Sequence, residues 1–170
     1  IKSTAIDPSV VDDDGVYRIT GPVKVFTTER DAIAAVKDTG PNGLHPGDIL
    51  VLISRGPLGA GMEEIAQITI ALKNLDFGKH VAVLTDARFS GVSTGACIGH
   101  IGPEALAGGP IGKLQEGDTL EIVIDCQNLR GSIDLVGHKG ETFNAEAGTR
   151  ILAERPSRAD LAPDPELPDD

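Results

Sequence analysis

Two stretches of the chain echo one another. "LHPGDILVLIS", residues 44 to 54, and "LQEGDTLEIVID", residues 114 to 125, share the pattern L-x-x-G-D-x-L, a glycine–aspartate turn running straight into an apolar segment. Gly and Asp are turn formers for different reasons, the first through backbone freedom and the second through local hydrogen bonds. The apolar runs after these turns, Ile49 to Ile53 and Leu120 to Ile124, predict strands. Two copies are too few for a solenoid, so the pair reads as two equivalent strands of one β structure.

Helical signals surround these strands. "TERDAIAAVKDTG" predicts a short helix capped by Thr28, with Glu29 and Asp31 in its first turn and Gly40 as its stop. "GMEEIAQITIALKNLDFGK" predicts the clearest helix, because Ile65, Ile68, Leu72 and Leu75 fall at steps of three, four and three, with Gly78 ending it before a strand "HVAVLT". The first 26 residues read as short strands between turns, "RGSIDLVG" as a last strand, and "NAEAGTRILAERPSR" as a terminal helix weakened at Gly148. "GPEALAGG" places Pro103 and Glu104 in the first turn of a short helix. Helix then strand, with β-rich segments on both sides, predicts a mixed α/β barrel or sandwich with flanking helices. Residues 1–158 form one domain in this reading, and the acidic, proline-rich residues 159–170 form a tail or linker.

Composition narrows the function classes. The 26 acidic and 15 basic side chains leave a formal charge of −11, which repels nucleic acid and anionic membrane surfaces alike. An anionic substrate would have to be met by local donors. Two cysteines, Cys97 and Cys126, form neither a disulfide framework nor a C-x-x-C pair, and read as reduced thiols of a cytoplasmic protein. No apolar run approaches the ~20 residues of a membrane span, and no signal peptide is visible. The chain starts at Ile1 without a Met and reads as a piece of something longer.

"TDARFSGVSTG", residues 85 to 95, carries more charges and hydroxyls than a connecting loop needs. Its neutral hydroxyls and N–H groups could hold a carboxylate and a polyol, and Arg88 could clamp an acid group or pair with Asp86. Within it "GVSTG" matches the G-x-S-x-G elbow of serine hydrolases, with His138 and Asp118, Asp125 or Asp134 downstream. The elbow needs a sharp turn directly off a strand, whereas residues 86 to 90 intervene, which argues against Ser93 as a nucleophile. "RGPLGAGMEE", residues 55 to 64, runs three glycines into the strong helix: its N–H groups could cradle an anion, its acids could merely stabilise a helix start, or one carboxylate could face a metal ion. His80 and His100 have no second ligand at metal spacing and read as ordinary polar residues.

"LTDARFSGVSTGACIGHIGPEALAGGPIGKLQEGDTLEIVID" resembles the C-terminal signature of the dihydroxy-acid and phosphogluconate dehydratase family. "IKSTAIDPSVV", "GPLGAGMEE" and Ala87 within the usual D-G-R motif look most like its D-xylonate (aldonic acid) branch, and the resemblance covers roughly residues 1 to 155. It implies a swivelling β-barrel-like domain with flanking helices, similar to the mobile domain of aconitase. The implied reaction dehydrates a 2,3-dihydroxy acid to a 2-keto-3-deoxy acid with an iron–sulfur cluster as Lewis acid and Mg²⁺ as second metal. The family's proton-abstracting serine in R-F/M-S-G maps onto Ser90, and its metal-ligand glutamate in G-M-x-E maps onto Glu64. Arg88, Gly91, Ser93 and Thr94 are then substrate-binding, with Ser93 or Thr94 supplying a hydroxyl where many members carry Thr and this chain has Val92. The cluster cysteines belong to a larger N-terminal domain of the same chain, and Cys97 and Cys126 do not match them. The partners implied are that domain, an aldonic acid and further copies in a homo-oligomer, and the chain alone is expected to be inactive. A non-catalytic swivelling domain that binds a small anion or a partner is the other reading.

Overall fold

The computed structural model describes residues 1–167, so the last three residues of the tail reading lie outside the described residues. The strands are β1 (Val16–Phe26), β2 (Ile49–Leu52), β3 (Glu64–Ile65), β4 (Ala82–Thr85), β5 (Arg88–Phe89), β6 (Ala96–Ile98), β7 (Asp118–Asp125), β8 (Arg130–His138) and β9 (Glu141–Thr142). The α-helices are α1 (Glu29–Lys37), α2 (Pro57–Ala60), α3 (Gln67–Lys73) and α4 (Ala145–Glu154). Seven strands form one sheet in the order β6-β4-β2-β1-β7-β8-β9. From β1 to β6 the pairing is parallel, and from β1 to β9 it is antiparallel. The chain is therefore mixed α/β as expected, but the sheet is open and no barrel closes among the described residues. Its outermost strands, β6 and β9, are only three and two residues long, and β9 pairs with Gly137 and His138 alone, which leaves residues 130–135 of β8 without a strand partner on their outer side among the described residues.

The two G-D turns start the two strands that flank β1, one parallel to it and one antiparallel. Gly47 and Gly117 take φ of +92° and +90°, a region glycine enters without strain. Asp48 and Asp118 each accept a hydrogen bond from the backbone N–H three residues back, His45 at 2.9 Å and Gln115 at 2.8 Å. Every residue of β2 is buried, which explains its unbroken apolar run. Ile49, Val51, Ala82 and Leu84 face a core shared with Leu120 and Ile122, while Leu50, Leu52, Val81 and Val83 face α1 and α3 through Ala32, Val36, Ile68 and Leu72.

Thr28 caps α1 as expected, its Oγ1 accepting from Asp31 N–H at 3.2 Å, but the helix ends at Lys37 rather than near Gly40. Asp38 takes the chain out of the helix and accepts a bond from Gly40 N–H at 2.7 Å. The long helix expected from Gly61 to Gly78 shrinks to α3. Gly61 and Met62 both have positive φ, 63° and 64°, which no right-handed helix tolerates, and Glu64–Ile65 is drawn into a strand. Ile65, Ile68 and Leu72 are buried all the same, so the periodicity reported burial and only partly helix. Two 3₁₀ turns, Ser3–Ala5 and Pro8–Val10, precede β1 where short strands were expected, and Ala105–Ala107 forms a 3₁₀ turn in place of a helix.

Asn144 caps α4 by accepting from Ala147 N–H at 2.9 Å. Gly148 does not weaken this helix: a Cβ there would lie 1.8 Å from the Leu135 carbonyl oxygen, so the glycine lets α4 press onto β8. Beyond α4, Arg155 donates two bonds, 2.6 and 2.9 Å, to the fully buried Asp118 carboxylate, which also meets His138 Nδ1 at 2.7 Å. Residues 159–167 hold no helix or strand yet lie on the domain. Leu161 packs on the core, Asp164 N–H donates to Gly59 O at 2.6 Å, and Arg55 donates to the Asp164 carboxylate at 2.8 Å.

Candidate functional site

The loop after β4 is anchored from below. Asp86 is buried, and its carboxylate accepts from the N–H groups of Ser54 (3.2 Å), Arg55 (3.1 Å) and Ala105 (3.0 Å), tying three distant segments together. It is thus not the partner of Arg88. Above this anchor β5 pairs in parallel with β3, Glu64 opposite Arg88 and Ile65 opposite Phe89. Arg88 N–H donates to Glu63 O at 3.2 Å and Ser90 N–H to Ile65 O at 3.0 Å. The two motifs "GMEE" and "RFSG" are laced side by side, although neither strand is legible as one in the sequence.

Ser90 leaves this pair half-buried, and Ser93 N–H donates to Ser90 O at 3.0 Å to close the turn. None of the hydrogen bonds that hold the loop uses Ser90 Oγ. Gly91 and Val92 form the exposed tip. Ser93 is turned inward, 7% exposed, with Oγ 3.2 Å from Thr69 Oγ1 and donating to Ile65 O at 3.4 Å. Its hydroxyl braces the loop, and His138, held by Asp118, is not its partner; the elbow reading falls. Thr94 opens to a different depression, shared with Asp7 and Lys79.

Ser90, Gly91 and Ser93 line a depression of about 410 Å³ whose wall also carries Lys2, Cys97 and His100. Sequence reasoning misses Lys2 and His100 as site residues, since nothing near them in sequence places them beside Ser90. His100 is brought in by its N–H bond to Ala87 O at 2.8 Å, with φ of 56°. Burial pushes the Cys97 thiol up to about 12, and that thiol donates to Thr94 O at 3.3 Å. Such a group stays protonated and does not suit a nucleophile.

The adjacent acids of "GMEE" go separate ways. Glu63 is bound by Arg55, whereas Glu64 is 51% exposed with one guanidinium nitrogen of Arg88 at 3.9 Å. Among the described residues no three His, Cys, Asp or Glu side chains gather as a metal site. The glycine-rich turn before it does not wait for an external anion. One of its N–H groups already meets a carboxylate, Leu58 N–H pointing at both oxygens of Glu104, 3.0 Å each, and those of Gly59, Ala60, Gly61 and Met62 bond backbone carbonyls.

A profile of the dihydroxy-acid/6-phosphogluconate dehydratase C-terminal family matches residues 1–155. The chain belongs to this family. As a dehydratase C-terminal domain it is 57% identical over its whole length to D-xylonate dehydratase YjhG of Escherichia coli (strain K12), of which it covers 26%. A second D-xylonate dehydratase of that strain, YagF, is 54% identical with the same coverage. A dihydroxy-acid dehydratase of Citrifermentans bemidjiense is 39% identical over 91% of the chain and 25% of its own length. The dehydratase domain therefore spans about a quarter of the length of the curated relatives it matches. Residues 156 onward lie past the family profile, yet both D-xylonate dehydratases align through them, including the Asp164 that Arg55 holds.

Proposed function

We propose that this domain forms one wall of the active site of a sugar-acid dehydratase, with D-xylonate the favoured substrate, and that Ser90 is its proton-abstracting base. The observation that carries this reading is the β3–β5 lacing, which sets Ser90, its hydroxyl uncommitted and opening into a depression, beside the strand that bears Glu64. The serine oxygen takes the C2 proton as the C3 hydroxyl departs, leaving an enol, and that proton passes on to the departing hydroxide, which leaves as water. The enol's tautomer is the 2-keto-3-deoxy acid.

Position divides the residues expected to bind substrate. Gly91 lets the substrate approach the backbone closely and Ser93 holds the loop in shape from inside, whereas Arg88, drawn toward Glu64, and Thr94, open to the neighbouring depression, lie off the Ser90 wall. Glu64 offers an oxygen of the type Mg²⁺ prefers. An iron–sulfur cluster and Mg²⁺, bound in the whole enzyme, supply Lewis acidity toward the departing hydroxyl and charge that favours a serine alkoxide. The family resemblance assigns the cluster's ligands to an N-terminal domain, since neither Cys97 nor Cys126 matches the family's cluster cysteines. On this reading the domain swivels against that partner in a cytoplasmic homo-oligomer, as the mobile domain of aconitase does, and is inactive alone.

The test is keto-acid formation from a panel of aldonic acids by the full-length enzyme, wild type beside Ser90→Ala. General-base removal typically costs about 10²–10⁴-fold in rate. The melting temperature should not change, since Ser90 Oγ holds nothing in the fold. Full turnover of the variant would move proton abstraction to another residue.

A further inference from the structure

We infer that Asp164 is a positioning residue for the Ser90 loop, acting through Arg55 to hold β3 in register against β5. The inference rests on the reading of Ser90 as the base. β3 is only two residues long and Glu63 stands directly before its Glu64, so a slip of one residue would put Glu63 opposite Arg88. Burial of Ile65 resists that slip. The hold of Arg55 on the Glu63 carboxylate is the second restraint, and Asp164 completes it.

Bonds run without a break from the tail to the loop. The Asp164 carboxylate accepts from Arg55 Nη2 at 2.8 Å, and the same guanidinium holds Glu63. Arg55 O accepts from Glu63 N–H at 3.2 Å, Glu63 O from Arg88 N–H at 3.2 Å, and Ile65 O from Ser90 N–H at 3.0 Å. The Arg55 side chain is only 13% exposed, so its planar fork is oriented by the two carboxylates and little by water. The turn that delivers β3 needs such bracing, because Met62 sits at φ 64°, a left-handed conformation that a residue with a Cβ keeps only where its surroundings impose it. The tail supplies part of that constraint. Asp164 N–H donates to Gly59 O at 2.6 Å, and Leu167 Cδ2 lies 3.7 Å from where a Cβ on Gly61 would stand. Lying past the family profile, Asp164 takes no role from the resemblance.

The experiment compares the full-length enzyme with its Asp164→Ala, Arg55→Met and double variants on D-xylonate. Asp164→Ala should lower kcat about tenfold or more with KM within about twofold, since a misplaced base slows the chemical step and leaves binding alone. In the Arg55→Met background Asp164→Ala should add nothing, because both changes break one series of bonds. Hydrogen exchange gives a readout independent of turnover: the Arg88 and Ser90 amides should exchange at least about tenfold faster in Asp164→Ala, the effect of losing a bond to a charged group, while those of β2 keep their wild-type rates. A wild-type kcat in Asp164→Ala, additive losses in the double variant, or unchanged exchange at Arg88 and Ser90 overturns the inference. So does a loss of protection that extends to β2, which would make Asp164 a contributor to general stability. Ser90→Ala run alongside separates the two ideas: if it is inactive while Asp164→Ala is normal, the base stands and the positioning role falls. If Ser90→Ala is fully active, the base is misplaced, and the exchange rates alone decide whether Asp164 holds the loop.

Discussion

Glu64 and Arg88 stand opposite one another in the parallel β3–β5 pair, with a guanidinium nitrogen of Arg88 3.9 Å from the Glu64 carboxylate. Both side chains are about half exposed, 51% and 54%. An ion pair of this kind contributes roughly 0–1 kcal/mol, little enough to be exchanged for a divalent cation. Arg88→Met is therefore expected to leave the melting temperature nearly unchanged and to tighten Mg²⁺ binding to the full-length enzyme, while Glu64→Gln weakens it. Calorimetric titration of metal-stripped protein reads both, and equal affinities for wild type and Glu64→Gln would remove Glu64 from the ligand set.

Gly148→Ala sets two effects against each other. Alanine is the better helix former by about 1 kcal/mol. Its Cβ would stand 1.8 Å from Leu135 O, however, and forcing atoms into a packed contact typically destabilises by about 1–3 kcal/mol. The contact should win, lowering the melting temperature by several degrees; a stabilised variant would mean that α4 stands off β8.

Arg155→Ala leaves the Asp118 carboxylate buried with only His138 and a backbone N–H for company. Removing one member of a buried pair costs about 3–5 kcal/mol. Urea unfolding should show a loss of that order, accompanied by release of α4. A loss below about 1 kcal/mol would indicate that water reaches Asp118 in the variant.

Cys97 gives a pH signature. Its thiol is raised from 9.0 to about 12 by burial, so the folded chain keeps a proton that the unfolded chain gives up. The stabilisation is complete below pH 9 and is lost as pH rises toward 12. Iodoacetamide at about pH 8 to 10 should accordingly modify Cys97 far more slowly in the native protein than in urea, as followed by mass spectrometry. Equal rates would show an accessible thiolate.

How much of this was legible depends on the distance over which each feature is decided. The L-x-x-G-D-x-L turns, the Thr28 cap and the Asn144 helix are settled within a few residues, and they stand where the sequence puts them. The segment from Gly61 to Ala66 is settled by a partner more than twenty residues away. Ile65 fits the helical spacing, and Met62 carries no mark of its left-handed backbone. Glu104 reads as a helix-start acid because Leu58, the group it satisfies, lies 46 residues upstream. Ser90 and Glu64 entered through family resemblance, and the structure adds that they sit on neighbouring segments of one strand pair. Lys2 and His100 escape notice because a single tertiary bond each, to Gly95 through Ala5 and to Ala87, brings them to the loop.

The twin turns bear on strand direction. Alike in glycine conformation and in the aspartate's bond from the N–H three residues back, they launch one strand along β1 and the other against it, so the turn does not choose polarity. The connection leaving each strand chooses it: a crossover after β2 and a hairpin after β7. The registers on β1 differ in parity, Leu50 standing opposite Lys24 and Leu120 opposite Gly21, so the shared leucines come to rest on opposite sides, Leu44 and Leu50 in the core under α1 and α3, Leu114 and Leu120 in the other. One seven-letter phrase, used twice with reversed orientation, seals both faces of the sheet.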